Sequence, residues 1–207
     1  MVFLRCPTIK QLLLIIFFIG NAVGCTPNVN HHVTRYEYNQ YLDQVKEYVN
    51  RIGKRLILVN SSSKLAKLNV GFDVKNSHDI FFDIDADKYH ITISIGLLEH
   101  LQDEAELGAI LALSLVTLEH NNFDNIDQQV MNNIYKAEYD PMAFVELQEE
   151  YLANKDKDYN WLKVIFLSNI TKNTVNINRK IACSFSKGTQ RGKERYRSQM
   201  RWLKKLD

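Results

Sequence analysis

The spacing of apolar residues divides this chain into helical and extended parts. From residue 36 to about residue 58, apolar or aromatic residues recur every three or four positions, which is the period of one helix face. Three serines at 61–63 end this pattern. The next segments alternate apolar and polar residues, which predicts strands at 69–74, 80–84 and 89–95. Residues 85–88 predict a turn that joins the last two strands as a hairpin.

The longest apolar stretch follows these strands, at residues 104–120. Asp103 is suited to cap a helix there, and Glu104 and Glu106 favour its first turn because carboxylates complement the helix dipole. Almost every residue from 107 to 118 is apolar, which is typical of a helix buried on all sides. Further helices are predicted at 126–137, 141–154, 159–170 and about 174–185. The whole pattern predicts an α+β fold, mainly helical, with a small antiparallel β-sheet.

Composition separates the ends of the chain from its middle. The net charge of +2 over 207 residues points to no particular partner for the chain as a whole. The first residues combine Arg5 and Lys10 with an apolar run at 12–19 and then small residues. That run is too short for a membrane-spanning helix of about 20 residues. The layout therefore predicts a secretory signal peptide, with a short membrane anchor as the alternative.

The residues around Cys25 define where this signal peptide would end. Residues 22–25 read Ala-Val-Gly-Cys, which resembles a bacterial lipobox. The resemblance implies removal of residues 1–24 and attachment of lipid to Cys25, which anchors the protein to a membrane. Because Thr26 stands where an Asp would favour the inner membrane, the resemblance implies the outer membrane, facing the periplasm.

The mature chain is predicted to have three parts. Residues 25–34 are a polar tether, and residues 35–186 are the folded domain. Residues 187–207 are a basic tail in which eight Lys and Arg oppose two acidic residues. The domain has a single cysteine, Cys183, so no intramolecular disulfide is expected. We interpret Cys183 as a small buried hydrophobe, and a reactive thiol is the alternative.

The basic residues of the tail are candidates for contact with a membrane or a partner. One interpretation is attraction to anionic lipid head groups, another is docking on an acidic protein, and the third is a solvated chain end. Nucleic acid is not expected as a partner, because the signal peptide directs the chain out of the cytoplasm. The candidate residues are Arg191, Lys193, Arg195, Arg197, Arg201, Lys204 and Lys205.

Segments from three parts of the chain carry a family resemblance: HITISIGLLEHLQDEAELGAIL at 90–111, AEYDPMAF at 137–144 and FLSNITKNTVNINRKI at 166–181. In this order they resemble a strand with its Gly-Leu-Leu turn, an Ala-Gly-Tyr-Asp-Pro signature and a Leu-Ser-Thr-His-Pro segment. The three features are those of the HtpX and CAAX-prenyl-protease-like family of HExxH zinc metallopeptidases, in its periplasmic lipoprotein branch, which this chain resembles. The resemblance implies a zinc-metallopeptidase-like domain at 35–186.

The metal-binding positions of that family hold other residues in this chain. Zinc peptidases need three protein ligands and a carboxylate base, and two His at i and i+4 flank the Glu on one helix face. The resemblance places these positions on Leu113, Ser114 and Thr117. It places the third ligand on Phe123, four residues before Asp127, which matches the Asp of the family's Ala-Asp pair. Because Leu cannot bind zinc and neutral Ser is no general base, the sequence predicts no catalytic residue, metal or cofactor.

The leading hypothesis is a catalytically inactive pseudopeptidase. By resemblance, it is a lipoprotein that acts as a scaffold or adaptor in the bacterial cell envelope, in the quality control of outer-membrane proteins. Its partners are the membrane, through lipidated Cys25, and an envelope protein. The alternative is a divergent metalloendopeptidase that hydrolyses envelope proteins with zinc on relocated ligands, for which Glu119 and His120 are the candidates. A plain structural lipoprotein is a third hypothesis.

Overall fold

The computed structural model describes residues 34–60, 64–119, 125–154, 170–185 and 188–201, together with single residues at 156, 162 and 166. The chain divides into two units, Met1–His32 and Val33–Asp207, and every described residue belongs to the second. The predicted signal peptide, the lipidation of Cys25 and nearly all of the tether lie outside the described residues and stay predictions.

The first described helix, α1 (Arg35–Leu58), confirms the helical period of the sequence. Thr34 caps it: its Oγ1 accepts a hydrogen bond from Glu37 N at 3.2 Å, and its own N donates to Glu37 Oε2 at 2.8 Å. This reciprocal pair gives hydrogen-bond acceptors to two backbone N–H groups that have no partner within the helix. The face formed by the predicted apolar positions is buried against the sheet and the central helix: Val45, Tyr48, Val49, Ile52 and Leu56.

A short 3-10 helix, Lys64–Lys67, leads into three strands. These are β1 (Gly71–Lys75), β2 (Phe82–Asp85) and β3 (His90–Ser94). The predicted hairpin is confirmed, since β2 and β3 pair antiparallel. Asp85 closes the turn between them by accepting from Lys88 N at 3.1 Å.

The sheet is mixed, so the prediction of a purely antiparallel sheet was wrong. The strand order is β1-β3-β2, and β1 pairs with β3 in parallel. β1 and β2 run in opposite directions with a gap between them, and β3 fills the gap with Ile91 and Ile93 fully buried. Apolar alternation shows that a segment is a strand with one buried face, but it does not show which strand lies beside it. The α+β class itself is confirmed.

The chain leaves the sheet through a short helix, α2 (Ile95–His100). Ser94 caps it, because its Oγ accepts from Leu97 N at 3.0 Å. Gly96 is required here: a Cβ at this position would lie 2.0 Å from the backbone oxygen of His78. The Gly96 N–H also donates to Ser77 O at 2.9 Å. The loop before β2 therefore packs directly on the first turn of α2.

The centre of the fold is α3 (Glu104–Glu119), in which 12 of the 16 residues are buried. This confirms that the long apolar stretch forms a core helix. Asp103 caps it as expected, with Oδ1 accepting from Glu106 N at 3.0 Å. The helix packs against α1 and against the next two helices.

Four further helices complete the described part of the domain: α4 (Ile126–Lys136), α5 (Met142–Asn154), α6 (Lys172–Phe185) and α7 (Lys193–Met200). The predictions for α4, α5 and α6 are confirmed to within two residues at each end. α4 and α5 pack on α3, and α6 packs on both of them. The helix predicted at 159–170 falls almost entirely outside the described residues. Within the described ranges, no helix combines the length and apolarity needed to cross a membrane.

Residues 188–201 pack on the domain rather than extending away from it. Tyr196 and Met200 of α7 are buried. Gln190 forms a parallel bridge with Tyr139, and Arg191 O accepts from Ala105 N at 3.1 Å. This part of the basic tail is therefore an integral element of the fold.

Candidate functional site

Three of the positions that the sequence resemblance assigned to a metal site lie on α3, within or at the edge of the core. Ser114 is fully buried, and its Oγ donates to Ile110 O at 2.6 Å. Thr117 Oγ1 donates to Leu113 O at 2.8 Å, and the Leu113 side chain packs half-buried against the core. Both hydroxyls are thus engaged with the helix's own carbonyls. Phe123 lies outside the described residues.

The described part of the chain includes only one of the two residues proposed for a relocated metal site. Glu119 Oε1 accepts from Lys64 N at 2.9 Å and so anchors the start of the 3-10 helix. His120 lies outside the described residues. Across the ranges that the structure describes, no three His, Cys, Asp or Glu side chains are arranged to hold a metal ion.

Three carboxylates are buried at the start of α3, and the sequence alone did not predict that burial. Asp103, Glu104 and Glu106 are 0%, 4% and 7% exposed. A buried carboxylate is costly unless cations and hydrogen-bond donors compensate it. In this fold the cations come from the basic tail, and tyrosine hydroxyls and a backbone N–H add hydrogen bonds.

Arg191 lies among these carboxylates. Its Nε donates to Asp103 Oδ2 at 2.7 Å, and its Nη2 lies 2.8 Å from Glu146 Oε2 and 3.6 Å from Glu106 Oε1. Burial by itself lowers the pKa of Arg191, but Asp103 and Glu146 together raise the pKa above its ordinary value. The guanidinium therefore stays charged.

Glu106 is less well compensated than Asp103. Its Oε2 accepts from Gln102 N at 2.6 Å. Burial raises the pKa of Glu106 to about 7. The hydrogen bond from Gln102 and the charge of Arg191 lower this pKa, but the negative charges of Asp103 and Glu146 raise it again. Near neutral pH this carboxyl is therefore divided between its two protonation states.

Glu104 is the centre of a second cluster. Its carboxylate accepts from the hydroxyls of Tyr48 and Tyr139, each at 2.8 Å, and from Arg195 Nε at 3.0 Å. Burial tends to raise the pKa of Glu104, but these three donors hold it below the ordinary value. Burial and the nearby carboxylate raise the pKa of both tyrosines, so they remain hydrogen-bond donors. Gly192, with φ of 67°, permits the close approach, since a Cβ there would lie 2.7 Å from Glu104 Cβ.

Among the described residues, the basic tail residues that the sequence analysis named fall into two groups, those that form ion pairs within the protein and those that are exposed without one. Arg191 and Arg195 have their partners inside the protein, although a membrane or partner contact was predicted for them. Lys193, Arg197 and Arg201 are exposed, and no ion pair is formed by these three within the described part of the chain. Lys204 and Lys205 lie outside the described residues. The sequence signal that could have indicated these ion pairs is the group of three carboxylates at the start of a helix that had to be buried.

A buried polar network links the last three long helices. Asp127 Oδ2 accepts from Asn178 Nδ2 at 2.7 Å and from Gln148 Nε2 at 3.1 Å, and Asn178 also donates to Gln148 Oε1 at 3.0 Å. Within the described residues, no buried side-chain nitrogen or oxygen lacks a hydrogen-bond partner, and these bonds hold α4, α5 and α6 in one arrangement. Asp127, which the family resemblance singled out, thus has a structural role here.

Cys183 is exposed, so its interpretation as a buried hydrophobe was wrong. It follows Ala182, which is on the buried face of α6. One residue further along a helix is rotated by about 100°, which turns Cys183 away from that face.

A groove of about 490 Å³ lies between α7 and the connection from α2 to α3. Tyr196 joins its two walls, because its hydroxyl donates to Leu98 O. Arg197 and Arg201 stand on one wall, and Glu99 stands on the other. The described residues present this groove as a candidate binding site.

The chain matches no protein-family model, and a search of curated proteins finds no match. The resemblance to zinc metallopeptidases therefore stays a prediction from the three sequence segments.

Proposed function

We propose that this protein is a non-catalytic, metallopeptidase-like lipoprotein that acts as a scaffold or adaptor in the bacterial cell envelope. The observation that supports the proposal most strongly is the state of Ser114, which stands where the family has its catalytic Glu. Its side chain is fully buried, and its hydroxyl is bonded to the Ile110 carbonyl. A group in this position neither polarises water nor meets a substrate, because general base catalysis requires direct reach to the proton that is removed.

The packing of α3 supports the same proposal. Leu111, Leu115 and Val116 are at most 4% exposed, so the helix stabilises the fold through buried apolar surface, at about 1.5–3 kcal/mol for each such side chain. A catalytic metal helix instead keeps polar ligands on one face that lines an open cleft. Selection for a stable core and selection for an open metal site make opposite demands on these positions.

Metal analysis of the purified, tag-free, full-length protein tests the proposal. We expect far less than one zinc ion per chain, and no cleavage of casein that a chelator abolishes. The double variant Glu119→Gln/His120→Ala should leave both results unchanged, because these are the best candidates for a relocated site. Stoichiometric zinc together with chelator-sensitive cleavage would overturn the proposal in favour of the metalloendopeptidase.

We further propose that lipid on Cys25 holds the protein at the outer membrane, facing the periplasm. In cells fed with labelled palmitate, Cys25→Ser should lose both the label and sedimentation with the outer membrane. Cys183→Ser is the matched control and should keep both. Equal labelling of the Cys25→Ser protein would contradict the anchor.

The adaptor role is best tested with substitutions, since removing residues 187–207 also removes Arg191 and Arg195, which pair with the buried carboxylates at the start of α3. Crosslinking in cells should compare the natural chain with the triple variant Lys193→Gln/Arg197→Gln/Arg201→Gln. These three side chains are exposed and without ion-pair partners in the described part of the chain. A crosslinked partner that is lost from the triple variant supports an adaptor surface on α7. The absence of any partner in both forms favours a plain structural lipoprotein.

A further inference from the structure

The groove beside α7 combines an apolar floor with two arginines that form no ion pair within the described ranges. Leu98, Leu101, Tyr196 and Met200 line it and are each at most 6% exposed. Its volume of about 490 Å³ is within the range of about 300–1,000 Å³ that is usual for sites of small ligands. Because Met is unbranched and flexible, Met200 lets such a floor adapt to the shape of what it covers.

The cations are Arg197 and Arg201, one helical turn apart at the end of α7. Side chains four positions apart lie on one helix face, with their Cβ atoms about 5–6 Å from each other. Both residues are exposed, and within the described ranges neither forms an ion pair, whereas Arg191 and Arg195 in the same segment both do. Two free guanidiniums at this spacing can both reach one carboxylate, the acceptor that their planar donors match best.

The opposite wall determines which anion fits. Glu99 lines the groove there, with its carboxylate 3.5 Å from His78 Nδ1, and Gln102 lies beside it. A negative side chain on this wall disfavours a ligand that carries several negative charges. It favours a ligand that also brings N–H donors, as an extended peptide does along its backbone.

We propose that this groove binds the free carboxyl terminus of a partner protein whose last side chain is apolar. The terminal carboxylate pairs with Arg197 and Arg201, the last side chain covers Leu101 and Met200, and a backbone N–H near the terminus donates to Glu99. This inference rests on the proposed adaptor function and names the class of partner. It uses no residue of α3 between Leu111 and Thr117.

Fluorescence anisotropy with the purified full-length protein tests the proposal. The probe is the labelled hexapeptide Gly-Ser-Gly-Ser-Ala-Leu with a free carboxyl terminus. Its C-terminal amide should bind at least about tenfold more weakly, and so should the peptide that ends in Asp, because each loses a charge-matched or apolar contact. Equal binding of the free acid and the amide would overturn the proposal, as would no detectable binding of the free acid.

The variants Arg197→Gln and Arg201→Gln should each weaken binding of the free acid by about fivefold or more. Lys54→Gln is the matched control, because Lys54 is exposed on α1, forms no ion pair within the described residues and does not line the groove. It should change binding by less than about twofold. Thermal unfolding of each variant confirms that the fold is kept, so that weaker binding reports the groove itself. Equal effects of all three substitutions would reduce the site to non-specific charge attraction and overturn the proposal.

Two other occupants are distinguished by the same measurements. If phosphatidylglycerol vesicles bind the protein through Arg197 and Arg201 and the peptide does not bind, the two residues face a lipid surface. The proposal then fails. A chain that ends at Arg201 should bind the peptide as the full chain does. If only this shortened chain binds, residues 202–207 are the natural occupant and an outside peptide is not. Chelator should not affect peptide binding. Stoichiometric zinc in the protein would therefore contradict the proposed function and leave the evidence for peptide binding unchanged.

Discussion

Arg191 Nε donates to Asp103 Oδ2 over 2.7 Å, and this contact joins residues that are 88 positions apart in the chain. The other oxygen of the same carboxylate, Oδ1, caps α3 by accepting from Glu106 N. One fully buried side chain therefore both begins the central helix and fastens the C-terminal segment to it. The stability of the fold and the position of α7 depend on the same carboxylate.

Replacing Arg191 should destabilise the protein strongly. Arg191→Met keeps much of the side-chain length but leaves the Asp103 carboxylate buried without its cation. Removing one partner of a buried pair costs about 3–5 kcal/mol, and we expect a loss of about 3 kcal/mol in the free energy of unfolding, measured with urea at pH 7. Lys193→Met, at an exposed neighbouring position, should change it by less than about 0.5 kcal/mol. A loss below about 1 kcal/mol for Arg191→Met would contradict this prediction, because it would show that water compensates the Asp103 carboxylate as well as Arg191 does.

The hydroxyl of Tyr48 should contribute measurably through Glu104. Tyr48→Phe removes a hydrogen bond to a buried carboxylate and leaves the ring in place. Hydrogen bonds to charged groups contribute about 1.5–3 kcal/mol, so we expect a loss of that size in the free energy of unfolding. Tyr36→Phe is the control, since Tyr36 is 76% exposed. Equal unfolding midpoints for the two variants would contradict a role of Tyr48 in compensating Glu104.

Glu106 should make the stability fall as the pH rises from 5 to 8. Its pKa in the folded protein, about 7, lies above the ordinary value of 4.5, so the folded state holds the proton more tightly. This contribution is complete below pH 4.5 and is lost as the pH rises through 7. Its upper limit is roughly 3 kcal/mol, from 1.36 kcal/mol for each pKa unit. Glu104 acts in the opposite direction, because its pKa is lowered, and its contribution is lost only as the pH falls below 4.5.

Glu106→Gln isolates this effect. The amide oxygen can still accept from Gln102 N, but the side chain no longer titrates. Urea unfolding at pH 5, 6, 7 and 8 should show the natural protein losing free energy of unfolding relative to the variant at each step. A difference that stays constant with pH would mean that Glu106 has its ordinary pKa.

Gly96→Ala should reverse the usual effect of alanine in a helix. Alanine normally stabilises a helix by about 1 kcal/mol relative to glycine, but here the added methyl group would meet the His78 backbone oxygen at 2.0 Å. We expect a net loss of about 2 kcal/mol in the free energy of unfolding, since the backbone of α2 or of the preceding loop must move. Gly108→Ala is the matched comparison, because its nearest neighbour is the Tyr139 ring at 3.1 Å. It should cost less, and equal losses would contradict the steric argument.

Local pattern predicted much of this fold and little of its candidate site. The period of α1, the β2–β3 hairpin, the Asp103 cap and the burial of α3 each follow from neighbouring residues in the chain. The parallel pairing of β1 with β3, the ion pairs of Arg191 and Arg195 and the exposure of Cys183 do not. Each of these depends on which distant element covers a face, and the apolar period reports only that a face is covered. The groove beside α7 was not predicted for the same reason, since its walls are about 100 residues apart.

The sequence by itself determined that residues 104–119 form a buried helix, because an almost continuous apolar stretch after a capping Asp has no stable solvent-exposed arrangement. It also determined the kinds of side chain that meet there, three carboxylates at the start of the helix and an excess of cations after residue 187. The tertiary structure decided which cations pair with these carboxylates and which form no ion pair within the described residues. Arg191 and Arg195 approach the helix start because Gly192 allows the backbone to come close. Arg197 and Arg201 remain exposed because Tyr196 and Met200 of the same short helix take the buried face.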